Sequence, residues 1–440
     1  MPSTAGGPNG DIDEGAPLLG RGRRRPSYLD EHRLWLRYPL YTYHVTKVTL
    51  LSNWVNVFLV FVPLGIIAGA RDLNPTAVFT LNFLAIIPLA ALLSFATEEL
   101  SAKLGQTIGG LLNATFGNAV ELIVSIVALI DNEIRIVQSS MLGSILSNIL
   151  LVLGCCFFFG GYGKVKQEFN TTVASTMSSL MAVASASLII PATLYSVLDK
   201  SKDSNSEDNI LILSHGTAVI LLILYTMYLY FQLGSHSHLF KAVNEQEGAE
   251  PTDEEAVIED DADSNEPELT PWAAGIVLLI ITIIVAVCAE YLVGSIDEIV
   301  KTTRMSKTFI GLILIPIVGN AAEHVTAVIV SMKDKMDLAI NVAIGSSLQI
   351  ALLVTPFLVI LGWIIDRPMT LHFETFETVV FFLSVLVVNY LIQDGESNYL
   401  EGAMLLGTYT IIALAFYIYP DDATGTPLPI VSAVTKLLRG

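Results

Sequence analysis

Gly117-Asn118-Ala119-Val120-Glu121 recurs about two hundred residues later as Gly319-Asn320-Ala321-Ala322-Glu323, and each copy sets one carboxylate inside a segment otherwise apolar enough to lie in a membrane. A lone carboxylate in hydrocarbon costs on the order of several kcal/mol, so two at matched positions point to a shared ligand site. The likeness continues without a gap. Twenty-six residues past the first glycine of each copy stands Gly-Ser, as Gly143-Ser144 and Gly345-Ser346. Leu146-x-x-x-Leu150-Leu151-Val152 then matches Leu348-x-x-x-Leu352-Leu353-Val354. The chain reads as a duplicated membrane protein whose acidic site is divided between its halves.

Working outward, the 440 residues are 53% hydrophobic, far more than a soluble core needs, and the apolar runs approach the twenty residues that cross a bilayer. Runs bounded by charge, Gly or Pro fall at 54–70, 77–98, 104–130, 134–160, 171–198 and 210–233, then at 272–297, 306–332, 336–363, 372–393 and 398–419. The expectation is an all-α polytopic membrane protein of about 11 transmembrane helices. One N-terminal helix (54–70) precedes two five-helix repeats, 77–233 and 272–419. An odd number of spans per repeat forces opposite orientations, and inverted repeats of this kind place their substrate site at the midplane. No apolar run precedes Trp54, so the reading expects no cleaved leader and an uncleaved first anchor.

The polar segments complete the division: a mostly disordered tail at 1–53, an acidic linker at 234–271 and a short tail at 420–440. The net charge of −19 is largely local, because residues 244–268 carry twelve Asp or Glu and no Lys or Arg. Nothing in it suggests nucleic acid, which calls for a basic surface. Lys and Arg are in slight excess in the loops on the amino-terminal side, chiefly through the tail, which places the N-terminus and the acidic segment in the cytosol. Glu14-Gly-Ala-Pro-Leu18-Leu19 fits an acidic dileucine signal, so a sorting adaptor is an expected partner through Leu18 and Leu19. The three cysteines all lie in apolar runs, which argues against a disulfide framework.

Gly109-Gly110 and Gly117, and Gly311, Pro316 and Gly319, weaken helical hydrogen bonding just before each glutamate. Unwound backbone at membrane depth is tolerated only where it is buried or lines a cavity. Glu121 and Glu323, with backbone carbonyls and the side-chain oxygens of Asn118, Asn320, Ser144 and Ser346, form an all-oxygen shell; Ser147 and Gln349 stand one turn further along the same faces. That donor set suits Ca²⁺, with Mn²⁺ a second candidate, and disfavours soft metals. An empty, desolvated carboxylate pair takes up protons. One divalent cation or about two protons neutralise the pair, and mutual exclusion of that kind is the basis of exchange. His324 is a further candidate for proton coupling beside Glu323.

These residues resemble the cation/proton exchanger family, and the fungal vacuolar calcium/proton exchangers within it, in the wider calcium/cation antiporter superfamily. The likeness rests on Gly117-Asn-Ala-Val-Glu-Leu122 and Gly319-Asn-Ala-Ala-Glu-His324, with Asn113-Ala-Thr-Phe116 before the first and Met332-Lys-Asp-Lys-Met-Asp-Leu338 after the second. It implies Ca²⁺ for H⁺ antiport across a vacuolar membrane at Glu121 and Glu323, with no cofactor. It also implies that the acidic segment, with Glu254, Glu255, Glu259, Asp260 and Asp261, regulates the cytosolic entrance. The sodium-coupled branch carries extra acidic or amide groups in its Gly-Ser helices. Here Ser147-Asn148 and Gln349-Ile350 offer no second carboxylate pair, which favours protons over sodium.

Other readings are weaker. Asp261-x-Asp263-x-Asn265 imitates the start of an EF-hand, yet Glu266 replaces its glycine and Trp272 its bidentate glutamate. Glu323-His324 lacks the His-x-x-Glu-His of inverted zinc peptidases, since Asn320 holds the first position. A passive channel must bind weakly and conduct continuously, whereas a closed acidic pair suits alternating access. Glu98, Glu99, Glu290, Asp297 and Glu298 at span ends suit attraction of cations to the vestibules.

Overall fold

In the computed structural model, residues 34–104, 106–198, 206–237, 269–303 and 305–419 are described. Among the described residues the regular structure is helical apart from one two-residue strand pair. The elements are α1 (Leu34–Leu51), α2 (Trp54–Ala70), α3 (Pro75–Lys103), α4 (Gln106–Phe116), α5 (Ala119–Ile130), α6 (Ile134–Gly160), α7 (Thr171–Leu198) and α8 (Ser206–Tyr230). Then come α9 (Pro271–Gly294), α10 (Ile296–Thr303), α11 (Lys307–Gly319), α12 (Ala321–Met332), α13 (Met336–Ile364), α14 (Thr375–Leu391) and α15 (Tyr399–Ile418).

Seven described helices are long and apolar enough to cross a membrane, and two bent pairs raise the number to nine. The shorter apolar helices α5 and α14 lie within the expected spans 104–130 and 372–393. Exposed Ile220, Ile223, Ile276, Leu279, Leu383 and Ile411 give the outer helices the apolar surface that lipid requires. One difference from the sequence reading is α1, formed by residues assigned to a mostly disordered tail. Arg37, His44 and Lys47 interrupt its apolar residues, so it offers neither an uninterrupted apolar run nor a clean apolar face.

The two repeats pack on each other as equivalents. Helix α3 lies against α9, its counterpart, and α7 lies against α14. The third helix of one repeat packs on the fifth of the other: α6 on α15, and α13 on α8. This reciprocal pairing is that of a two-fold relation.

Ion pairs fix the directions of the repeats. Helix α6 begins with Arg135, which binds Glu377 in the first turn of α14, and it ends beside Lys164, which pairs with Asp334 in the loop before α13. Helix α13 therefore starts at the end where α6 finishes. Beyond the far end of α13, Arg367 donates to the Ile130 carbonyl at 2.6 Å, back near the start of α6. The equivalent helices α6 and α13 run in opposite directions, as inverted repeats require. At the Lys164 end, β1 (Gln167–Glu168) and β2 (Glu396–Ser397) pair antiparallel and tie the loops of the two halves together.

Both third helices also widen at matched places, α6 over Ser147–Val152 and α13 over Ile350–Val354, into π-type turns. Such turns are frequent at functional sites. Here they begin within about one turn of the Gly-Ser dipeptides.

Candidate cation site

The span expected at 104–130 breaks after Phe116, and the span at 306–332 bends by 58° between α11 and α12. The breaks fall at Gly117-Asn118 and at Gly319-Asn320, as the glycines predicted. Asn118 and Asn320 are the residues before the restarted helices, which puts Glu121 and Glu323 in the first turns of α5 and α12. Each glutamate thus sits at a half-helix terminus inside the protein.

A tight contact across the two-fold accounts for the glycine at one of the two breaks. A Cβ on Gly319 would lie 3.1 Å from Glu121 Oε1, and one on Gly117 would lie 3.9 Å from Glu323 Oε1. The break of each repeat therefore faces the carboxylate of the other. The two glutamates share one central region.

The asparagines reach across in the same way. Asn118 Nδ2 donates to Gln349 Oε1 at 2.7 Å, and Asn320 Nδ2 donates to Ser147 Oγ at 3.3 Å. Gln349 and Ser147 are equivalent positions, so the two bonds are one contact made twice. The surroundings then diverge. Ser346 Oγ lies 2.7 Å from Asn118 Oδ1 and 3.1 Å from Glu323 Oε2, and it accepts from Asn148 Nδ2 at 3.2 Å. A hydroxyl has one hydrogen to give, so Ser346 cannot donate to both oxygens. A proton on Glu323 would supply the missing hydrogen.

Glu121 has no such network. It is buried, and among the described residues its Oε1 has no hydrogen-bond partner, nor has Oδ1 of the buried Asn320. Glu121 lines a small cavity with Ser144, Gly319 and apolar side chains from α3, α9 and α11. Two orphaned acceptors on opposite repeats are what a bound cation would satisfy.

Of the sequence candidates, Glu323, Asn118, Ser346 and Gln349 are hydrogen-bonded together, Asn320 is joined to Ser147, and Ser144 shares the cavity of Glu121. His324 is not brought into the network. Its Nε2 is buried without a partner, and no hydrogen bond among the described residues links its side chain to either glutamate. Asn148 was missed, although Ser144, Ser147 and Asn148 share a helix face by spacing. Glu254, Glu255, Glu259, Asp260, Asp261, Leu18 and Leu19 lie outside the described residues. Among the described residues no three His, Cys, Asp or Glu converge as a metal cluster, so any cation here relies on two carboxylates and neutral oxygens.

The model of the sodium/calcium exchanger protein family matches residues 74–234 and 273–418, which are the two repeats. The chain belongs to that family. It is 51% identical over 416 residues to the vacuolar calcium ion transporter of Schizosaccharomyces pombe, covering 94% of this chain and 95% of that one. It is 43% identical over 365 residues to the Ca²⁺/H⁺ antiporter of Synechocystis, covering 83% and 97%. The solved structure of the Ca²⁺/H⁺ antiporter protein YfkE superposes with a TM-score of 0.65 at 35% identity, covering 82% of this chain and 99% of that one. These relatives are transporters. The family works without a cofactor, and the chain is a transporter, not an enzyme.

Proposed function

We propose that the chain is a secondary active antiporter that loads Ca²⁺ from the cytosol into an acidic compartment in exchange for H⁺, by alternating access at Glu121 and Glu323. The observation that carries this reading is the pair of buried, unpartnered oxygens, Glu121 Oε1 and Asn320 Oδ1, on opposite sides of the two-fold. The cation draws its ligands from those oxygens and from Glu323, Ser144, Ser346, Ser147, Asn118 and Gln349, and Mn²⁺ is a second cargo. Protons compete for the same carboxylates, and His324, beside Glu323, is a further candidate for coupling them. The named relatives support the vacuolar membrane as the compartment boundary. The reading keeps the division into an N-terminal helix, repeats at 77–233 and 272–419, and a cytosolic acidic linker.

The test is Ca²⁺ uptake by purified protein in proteoliposomes with an acidic lumen, beside Glu121→Gln and Glu323→Gln. Uptake that requires the gradient, alkalinises the lumen and vanishes in both variants is expected. Uptake indifferent to the gradient would replace antiport by a channel or by sodium coupling. Survival of transport in either variant would remove the paired-glutamate site.

A further inference from the structure

Buried serine and threonine hydroxyls in helices ordinarily donate to the carbonyl one turn back, and here Thr97, Ser139 and Ser347 do so on to Leu93, Arg135 and Ala343. Ser125 does not. It is 1% exposed, its Oγ has no partner, and it stands one turn beyond Glu121 on the same face of α5. Both side chains line the same cavity, together with Ser140 and Ser144. The other walls are apolar, from Phe83, Ile86, Val124 and their neighbours.

The cavity has room for about one water molecule, and although its walls are mostly apolar, Glu121 Oε1, Ser125 Oγ and Ser140 Oγ offer the two to four partners that a buried water needs. The hydrogens are accounted for. Ser140 Oγ gives its hydrogen to the Val137 carbonyl at 3.0 Å, so it can accept. A water would donate to Glu121 Oε1 and Ser140 Oγ and accept from Ser125 Oγ, leaving one lone pair free. That lone pair suits a cation held by Glu121 and Ser144.

We propose that Ser125 is a specificity-determining residue that holds a water ligand of the transported cation in this cavity. This rests on the reading of Glu121 as a cation ligand. The second repeat has no counterpart: Ala327 occupies the matched position beside Glu323. The water therefore belongs to one half of the site, and the two glutamates hold the cation differently. Ca²⁺ takes six to eight oxygens and Mn²⁺ favours six, so a lost water ligand penalises Ca²⁺ more.

The experiment compares Ser125→Thr with Ser125→Val, which have the same shape and differ in the hydroxyl, in the full-length protein in proteoliposomes. Ca²⁺ and Mn²⁺ are the competing cargoes, and Glu121→Gln is run in parallel. The expected result is a KM for Ca²⁺ raised about tenfold in the Val variant, a smaller rise for Mn²⁺, kcat little changed, and the Thr variant close to the parent. Equal KM values for the Thr and Val variants, with Glu121→Gln inactive, would overturn the water ligand and leave the glutamate site standing. An active Glu121→Gln would overturn both. A fall in kcat with unchanged KM in the Val variant would assign Ser125 to packing and overturn the proposal.

Discussion

Asn118 and Asn320 occupy equivalent positions, yet the structure predicts opposite consequences for their loss. Asn118 uses both ends of its amide, donating to Gln349 Oε1 and accepting from Ser346 Oγ, each at 2.7 Å, and it is 1% exposed. Asn118→Ala removes two hydrogen bonds of about 1 kcal/mol each and strands Gln349 Oε1, which adds about 1 kcal/mol or more. Ser346 keeps Asn148 and Glu323, so the loss totals about 2 to 4 kcal/mol of stability without calcium. Asn320 makes one longer bond, 3.3 Å to Ser147, whose hydroxyl also has the Ser144 carbonyl, and its Oδ1 is unpartnered. Asn320→Ala therefore costs about 0 to 1 kcal/mol when calcium is absent.

Calcium narrows the difference. A ligand at a hundred times its Kd stabilises the folded state by about 2.7 kcal/mol, and a tenfold weaker site forfeits about 1.4 kcal/mol of that. Thermal unfolding in detergent, with chelator and with saturating Ca²⁺, separates the two variants. Asn118→Ala is expected to melt lower throughout, in chelator as well as in Ca²⁺. Asn320→Ala is expected to match the parent in chelator and to lose much of that rise. Equal destabilisation of both in chelator, or a full calcium response in Asn320→Ala, would refute Oδ1 of Asn320 as a ligand.

Two further substitutions test the frame around the site. Arg135→Gln leaves Glu377, which is fully buried and held by both guanidinium nitrogens at 2.6 and 3.0 Å, without its counter-charge. The expected loss is about 3 to 5 kcal/mol, much of it recovered by adding Glu377→Gln, and a double-mutant cycle on detergent melts measures both. Gly319→Ala would set a methyl 3.1 Å from Glu121 Oε1, so the carboxylate must move by a few tenths of an ångström. The KM for Ca²⁺ is expected to rise severalfold, worth about 1 kcal/mol, with the melting midpoint unchanged; an unaltered KM would mean that Glu121 is not held by this contact.

Much of the site was legible because the duplication prints the same chemistry twice. A carboxylate that recurs at one position of a repeat cannot be dismissed as a charge snorkelling from a helix end, and glycine before it foretells a break wherever the helix must open. The pairing of Asn118 with Gln349 and of Asn320 with Ser147 was not legible, because spacing within one helix says nothing of the helix opposite. Arg135 and Glu377 stood unremarked for the same reason: each lies near the start of its own span, where a solvated charge is the ordinary expectation. Asn148 was hidden differently. Its counterpart is Ile350, so a reading that searched for repeated polar positions passed over it.

That departure from symmetry bears on how an exchanger of this form would work. Two identical half-sites would hold a cation between equal carboxylates, and nothing in the empty site would distinguish one half from the other. Here Glu323 is tied through Ser346 to Asn118 and Asn148, while Glu121 Oε1 faces a gap. With one hydroxyl hydrogen between two acceptors, the Ser346 cluster is complete when Glu323 carries a proton. It is one hydrogen short when Glu323 is ionised. A cation that bridges Glu121 and Glu323 resolves both defects at once, filling the gap at Glu121 and replacing the proton at Glu323. On the proposed reading the site would hold either occupant and not both, and an inverted frame would let the same pair face either side of the membrane in turn.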